Sequence, residues 1–330
     1  MTLDMQKVAI EFLAQQDAWN SLPEVYDDKL DSDIHAMYVN PPKNFPKWGT
    51  KYFTPSSSGV SALEMWLKMS GYKRDSFGQQ PHQKRWTTIG TAVGDALQRA
   101  ILFQERHYES KVGEKPRFVF DRNENGQPLF EEFSAKPVEV SYKDEIVTLF
   151  GMCDGIMIYT DDDGKEWRIG LEIKSKSTTP ARTSHYSLQE PDDKHVKQTV
   201  CYSMMYDVDY FLVVYWNVAK KSWFMDAETY EKNPDLRAFG YEIDGYDRQQ
   251  VLERFYSVIK AYKSGDKPEF DVDSWTFNNF KQATIETMTT QEWESTKEYA
   301  KIVLKSKQPE YKKRQIAETM TQINALRGGK

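Results

Sequence analysis

Between Gly151 and Tyr202 the 330-residue chain carries an aspartate, a glutamate and a lysine at spacings that let them converge. The segment GMCDGIMIYTDDDGKEWRIGLEIKSKS reads as two strands around a turn. Met152 to Thr160 is rich in Ile, Met and Tyr, Asp161 to Gly164 supplies turn chemistry, and Trp167 to Lys174 is the second strand. Side chains alternate along a strand, so Glu172 and Lys174 share one face, Ile173 takes the other, and Asp154 can meet the pair from across the hairpin. Two carboxylates and an ammonium on a buried face cost several kcal/mol unless they are paired or used. A divalent cation is one solution. Asp154, Glu172 and the backbone carbonyl of Ile173 offer hard oxygen ligands that suit Mg²⁺ or Mn²⁺. Lys174 beside the ion would orient or help deprotonate a water whose pKa the metal lowers, while the metal polarises a phosphate. Taken alone, the Glu-Ile-Lys triplet reads as a surface hairpin with one ion pair, since such triplets are common.

A helix follows, capped by Asp192 or Asp193 and running from Lys194 to Tyr206, on which Gln198 and Tyr202 lie four apart and share a face. The order Gly151-x-x-Asp154-Gly155, Glu172-Ile173-Lys174, then Gln198-x-x-x-Tyr202 resembles the PD-(D/E)XK nuclease superfamily. The Gln-x-x-x-Tyr box is similar to that of its RecB-like and Cas4-like branch, which includes many phage exonucleases. The resemblance spans Tyr52 to Tyr215. It implies an α/β fold with a restriction-endonuclease-like core, a central mixed β-sheet flanked by helices, and helical N- and C-terminal additions. It also implies roles: Asp154 and Glu172 bind the metal, Lys174 serves the attacking water, and Gln198 and Tyr202 orient the active site or the nucleic-acid end.

One feature departs from that pattern. Family members often carry Gly-x-x-x-His or Gly-x-x-x-Glu on the helix before the hairpin, and the final residue helps to bind metal. Here the helix is Trp86 to Tyr108 and the residue four after Gly90 is Gly94, which leaves the adjacent Asp95 as the candidate third ligand. The polar loop from Ser175 to Asp193 and the helix after it offer Lys176, Arg182 and Lys197 as phosphate contacts. His185 in that loop is not expected to be a ligand, because a hard cation prefers oxygen.

The flanking elements read more coarsely. A helix is expected over Leu3 to Gln16, followed by an irregular stretch to residue 50, then a Ser-capped helix over Val60 to Met69. Strands are expected at Arg117 to Phe120, Lys136 to Tyr142, Ile146 to Gly151 and Asp209 to Val218, with Ser222 to Asp226 as hairpin partner of the last and Ala238 to Ile243 as a further strand. Glu139 would face either the active site or solvent. Helices over Tyr246 to Tyr262, Gln291 to Lys307 and Pro309 to Leu326 close the chain. This divides it into an N-terminal extension (1–50), a nuclease core (51–265) and a basic helical extension (266–330).

Composition limits the alternatives. The two cysteines, Cys153 and Cys201, lie in apolar segments and read as buried reduced thiols; two cannot hold the four-cysteine iron–sulfur cluster of many Cas4-like nucleases, so none is expected. No apolar run approaches twenty residues, the N-terminus has no cleavable signal, and the expected setting is the cytoplasm, of the host if the chain is phage-encoded. The net charge of −6 counts against uniform nucleic-acid attraction, yet nine Lys or Arg against three Glu after Thr296 make the C-terminus basic. No phosphate-binding Gly-x-x-x-x-Gly-Lys loop is present, which argues against a fused motor. The expected partner is DNA, as duplex ends or single strands, with a recombinase or single-strand annealing protein and a homo-oligomer as further expectations. Two alternatives stand beside an exonuclease: a nuclease-fold DNA-binding or assembly protein without activity, and a structure-selective endonuclease.

Overall fold

The computed structural model describes residues 2–76, 80–219 and 222–328. The chain opens with α1 (Met5–Asn20), whose N-cap Asp4 accepts from the Gln6 and Lys7 amides. A second helix, α2 (Asp28–Val39), lies inside the stretch expected to be irregular. Its many aspartates disguise it. Asp27 is the cap, accepting from Leu30 N–H, and Asp28 and Asp31 stand in the first turn, where the helix dipole favours acids. A Ser-rich 3₁₀ turn at Pro55–Gly59 leads into α3 (Ala62–Met69), capped by Ser61. Helix α4 (Pro81–Val112) starts with a Gln80–Gln83 capping box and stops at Gly113, whose left-handed φ of 96° suits glycine.

Strand β1 (Phe118–Phe120) precedes the hairpin β2 (Lys136–Tyr142) and β3 (Glu145–Gly151), which is followed by β4 (Gly155–Thr160) and β5 (Glu166–Lys176). Helix α5 (Asp193–Tyr206) crosses from β5 to β6 (Tyr210–Asn217). After α6 (Ala227–Lys232), β7 (Leu236–Glu242) returns, and α7 (Gly245–Ser264), α8 (Lys281–Thr287), α9 (Thr290–Lys305) and α10 (Glu310–Gly328) complete the chain. The main sheet has the order β1-β4-β5-β6-β7, with β5 and β6 parallel and the other pairs antiparallel. It is an α/β fold with a mixed central sheet. β2 and β3 form a separate hairpin, on which Glu139 is exposed.

The partner of β6 is β7, not Ser222 to Asp226. That segment leads instead into α6, where Asp226 accepts from Thr229 N–H at 2.7 Å as the cap. A capping aspartate ends any strand reading there.

Helices cover both faces of the sheet. Val8 and Phe12 of α1 with Leu97 and Ile101 of α4 pack on Ile169, Leu171 and Ile173 of β5. On the other face α3, α5 and α7 contribute Leu67, Val200, Tyr202 and Phe255. Each fully buried Leu, Ile or Phe contributes about 1.5–3 kcal/mol. Such stripes fix the register of β5, and with it the face on which Glu172 and Lys174 emerge. The last three helices build small cores of their own, one around Val303 and Ile316, another around Trp275 and Ile323. They attach to the rest through Phe280 and Ala283, and through Asp75, which accepts from the Lys281 and Gln282 amides at the start of α8.

Candidate active site

β4 pairs with β5 from Thr160 opposite Glu166 to Gly155 opposite Leu171, and there β4 begins while β5 runs on to Lys176. Past Leu171 the edge of β5 on that side has no strand against it. Asp154, the residue just before β4, fills the gap: its Oδ2 accepts from Ile173 N–H at 2.6 Å. The N–H and C=O of one strand residue serve the same neighbour, so the Ile173 carbonyl lies on that same open edge.

Glu172 and Lys174 emerge on the α5 face. Glu172 is fully buried and pairs with Lys174; beyond that ion pair, neither carboxylate oxygen has a hydrogen-bond partner among the described residues. Lys174 Nζ donates to Gln198 Oε1 at 3.3 Å. Gln198 Nε2 donates to Tyr202 Oη at 3.1 Å, and Tyr202 Oη donates to the Met152 carbonyl at 2.6 Å. Asp154, Glu172, Lys174, Gln198 and Tyr202 are thus brought together, and the four-residue spacing on α5 spans from the lysine to the main chain preceding Asp154. Gly151 permits this approach, since a Cβ there would lie 2.6 Å from Pro55 Cδ, in the turn that packs on α5.

The electrostatics are those of a site short of positive charge. Burial first, then the field of Glu172, pushes the Asp154 carboxyl up to about 7, against the pull of Lys174 and the Ile173 amide. Burial also raises Glu172, with Lys174 opposing. For Lys174 burial works downward, but Glu172 and Asp154 outweigh it and leave the ammonium raised. Tyr202 is raised well above its ordinary range by burial and the two carboxylates, so its hydroxyl stays protonated and available as a donor.

The other expected residues lie at more distance. Asp95 is on the exposed side of α4; burial and then the field of Glu132 raise its pKa, and no contact joins it to Asp154 or Glu172 among the described residues. Lys176 pairs with Asp192 at 3.0 Å and Lys197 with Asp193 at 2.6 Å. Arg182 donates to Thr178 Oγ1 at 3.2 Å, and His185 is exposed.

Three residues of the site escape a motif reading. Gln98, fully buried on α4, donates through Nε2 to the Asp154 carbonyl at 2.9 Å and to Glu131 Oε1 at 3.0 Å, while its own Oε1 has no partner among the described residues. Glu131 holds a left-handed φ of 45°, unusual for a residue with a Cβ, and its N–H donates to the Cys153 carbonyl at 3.0 Å. Burial, opposed by Gln98 and reinforced by Asp154, pushes its carboxyl up to about 7. His195, one turn before Gln198, meets Tyr215 Oη through Nδ1 at 2.9 Å, and burial followed by the Lys174 charge lowers it to about 3, so the ring is neutral. Helix phase could have singled out Gln98 and His195; the turn at Glu131 has no comparable signal.

The residues fit a hard divalent cation. Two carboxylates, one of them buried with unbonded oxygens, and a main-chain carbonyl share an open strand edge, and the donor set is all oxygen. Among the described residues no group of three His, Cys, Asp or Glu side chains is close enough to hold an ion. Cys153 and Cys201 are buried, and burial pushes both thiols up to about 12.

No family model matches the chain, and no curated protein does. Among solved structures it is similar to an alkaline exonuclease, LHK-Exo, from Laribacter hongkongensis, at 11% identity over 65% of this chain and 89% of that one, with a TM-score of 0.36. It is similar also to a phage-related exonuclease from Haemophilus somnus 129PT, at 13% identity over 69% of this chain and 97% of that one, with a TM-score of 0.34. A third likeness is to SSO0001, at 12% identity over 76% and 91%, with a TM-score of 0.38. Among the described residues no helix is long and apolar enough to cross a membrane.

Proposed function

We propose that this protein is a Mg²⁺- or Mn²⁺-dependent deoxyribonuclease, an exonuclease that hydrolyses phosphodiester bonds at DNA ends. One observation carries the reading: Glu172 is fully buried with no partner among the described residues beyond its ion pair with Lys174, which Gln198 holds, and Asp154 stands at the open edge of the same strand. Without use, that arrangement is a net cost of several kcal/mol. Asp154, Glu172 and the Ile173 carbonyl would hold the cation, which when bound supplies positive charge to the phosphate and acidifies a water.

The rest of the work falls to side chains. Lys174, paired with Glu172 and held by Gln198, stands where it would serve the attacking water and balance charge on the phosphate. Gln198 and Tyr202 fix where that ammonium sits. The neutral His195 ring adds no competing charge beside it. The cellular setting that suits such an enzyme is phage-type DNA recombination or processing in the host cytoplasm, next to a recombinase or single-strand annealing protein.

The grouping of only two acidic side chains favours a second reading, a DNA-binding protein of the same fold without activity. One assay separates them. End-labelled linear duplex and closed circular DNA are incubated with Mg²⁺ or Mn²⁺. The exonuclease reading expects loss of the linear substrate only, abolished by Lys174→Ala. Binding without degradation in both metals supports the inactive reading, and cutting of the circle supports an endonuclease.

A further inference from the structure

Helix α4 does two things along its length. From Val93 onward Leu97, Gln98 and Ile101 are buried against the sheet and the site. Its first three turns, from Pro81 to Ala92, are almost wholly exposed, roughly 18 Å of helix at 1.5 Å per residue. The face that is buried lower down continues upward from Val93 through Ile89 and Trp86 to His82, at intervals of four, three and four residues. Trp86 is 56% exposed, and His82 meets its ring edge-on at 5.7 Å.

This face is neither remote nor featureless. A Cβ at Gly90 would sit 3.4 Å from Ser175 Oγ, so the third turn of α4 lies against the strand residue next to Lys174. Below it opens a cavity of about 570 Å³, walled by Ile89, Ala92, Ala96, Trp216, Trp223 and Tyr230. Two of the polar groups at its edge are engaged: Asp235 accepts from Tyr230 Oη, and Asn217 Nδ2 donates to the Thr179 and Pro180 carbonyls. Arg85 stands one turn above Ile89 on the same side, with Lys84 adjacent. Among the described residues neither cation meets a carboxylate, whereas Lys176 and Lys197 are both tied to aspartates. In a chain of net charge −6, two uncompensated cations beside an exposed indole and an apolar cavity are selective for an anion with flat apolar faces.

We propose that the uncovered turns of α4 and the cavity at the end of β6 hold an unpaired DNA strand leading to or from the active site. Bases stack on Trp86 and fill the apolar cavity, and phosphates meet Arg85 and Lys84. A duplex keeps its base faces inside, so the strand bound here is single. A second copy of this chain would bring its own negative charge and suits the surface less. The inference rests on the nuclease reading for the identity of the substrate.

The test separates the two. Binding of fluorescein-labelled single-stranded oligothymidylate is followed by anisotropy in chelator, where no cleavage occurs, and bis(4-nitrophenyl) phosphate hydrolysis in Mn²⁺ reports the chemical centre without a strand. Arg85→Ala combined with Trp86→Ala is expected to weaken oligothymidylate binding by about tenfold or more, the loss of one stacked base and one phosphate, and to flatten its salt dependence. Trp86→Phe retains most of the affinity. Ester hydrolysis and melting temperature are unchanged in all of them. Wild-type affinity in the double variant overturns the proposal, as does a change in oligomeric state in place of a change in DNA binding. Lack of ester hydrolysis by the wild-type protein, with binding lost in the double variant, overturns the nuclease reading and leaves the strand site standing.

Discussion

Glu172 buries a carboxylate whose only partner among the described residues is a lysine two residues along the same strand, and replacing it separates use from stability. Glu172→Gln removes a buried charge, so in chelator the variant is expected to melt no lower than wild type. Its Mg²⁺-dependent kcat/KM is expected to fall by about a thousandfold, the scale of losing a charge-stabilising group. Cleavage kinetics and thermal melting on the same preparations check both halves. Among the described residues the Gln198 amide bonds to Lys174 and Tyr202, so Gln198→Ala should act through the lysine. The expected effect is a smaller fall in kcat, about 10–100-fold, with KM nearly unchanged. A KM effect of the same size would instead place Gln198 on the substrate. At this scale the sequence was most informative for residues set by a strand or helix period. Glu172 and Lys174 follow the alternation of β5, and Gln198 and Tyr202 the turn of α5. Asp95 drew attention through its place beside Gly94, while the residue that reaches the site is Gln98, three positions on, an amide that no metal-ligand pattern would select.

The open edge where β4 gives out carries two carboxyls at its end, Asp154 and Glu131, both pushed up to about 7. Unfolded, they titrate near 3.9 and 4.3. A raised carboxyl favours the folded state while it holds its proton; this stability is fully present below about pH 4 and is lost as pH rises to about 7. Metal-free protein is therefore expected to melt progressively lower between pH 4 and 7, and Asp154→Asn or Glu131→Gln to flatten that slope; a melting series in chelator measures it. Elements of strong period were legible beforehand: β2, β3, β5, α5 and α7 sit within a few residues of their expected bounds. Those that failed depended on partners remote in sequence. α2 is held by a capping aspartate and by Arg106 and His107 of α4, which no local pattern announces. The strand beside β6 could not be chosen without knowing that Asp226 starts a helix. The position of Glu131 depends on a left-handed backbone at a non-glycine residue, which only the surrounding packing enforces.

Across the described residues, some charges are met by ion pairs and others are left open. The basic C-terminal helices carry Lys297, Lys301 and Lys313 in pairs with glutamates three residues earlier, each worth about 0.3–0.5 kcal/mol at a surface. Lys305 and Arg314 of the same helices, like Lys84 and Arg85 on α4, meet no carboxylate among the described residues. Those last helices lean on the remainder through Asp75, and Asp75→Ala, which uncaps α8, should cost about 1 kcal/mol and lower the melting temperature without altering ester hydrolysis. The most direct measurement is calorimetric titration of Mn²⁺ into the wild-type protein, Asp154→Asn and Glu172→Gln at pH 8, above the value of about 7 to which Asp154 is pushed. Saturable binding by the wild type, lost in each variant while the fold persists, is the expected result. Equal Mn²⁺ affinity in all three proteins, or no binding in any, contradicts a cation held between Asp154 and Glu172.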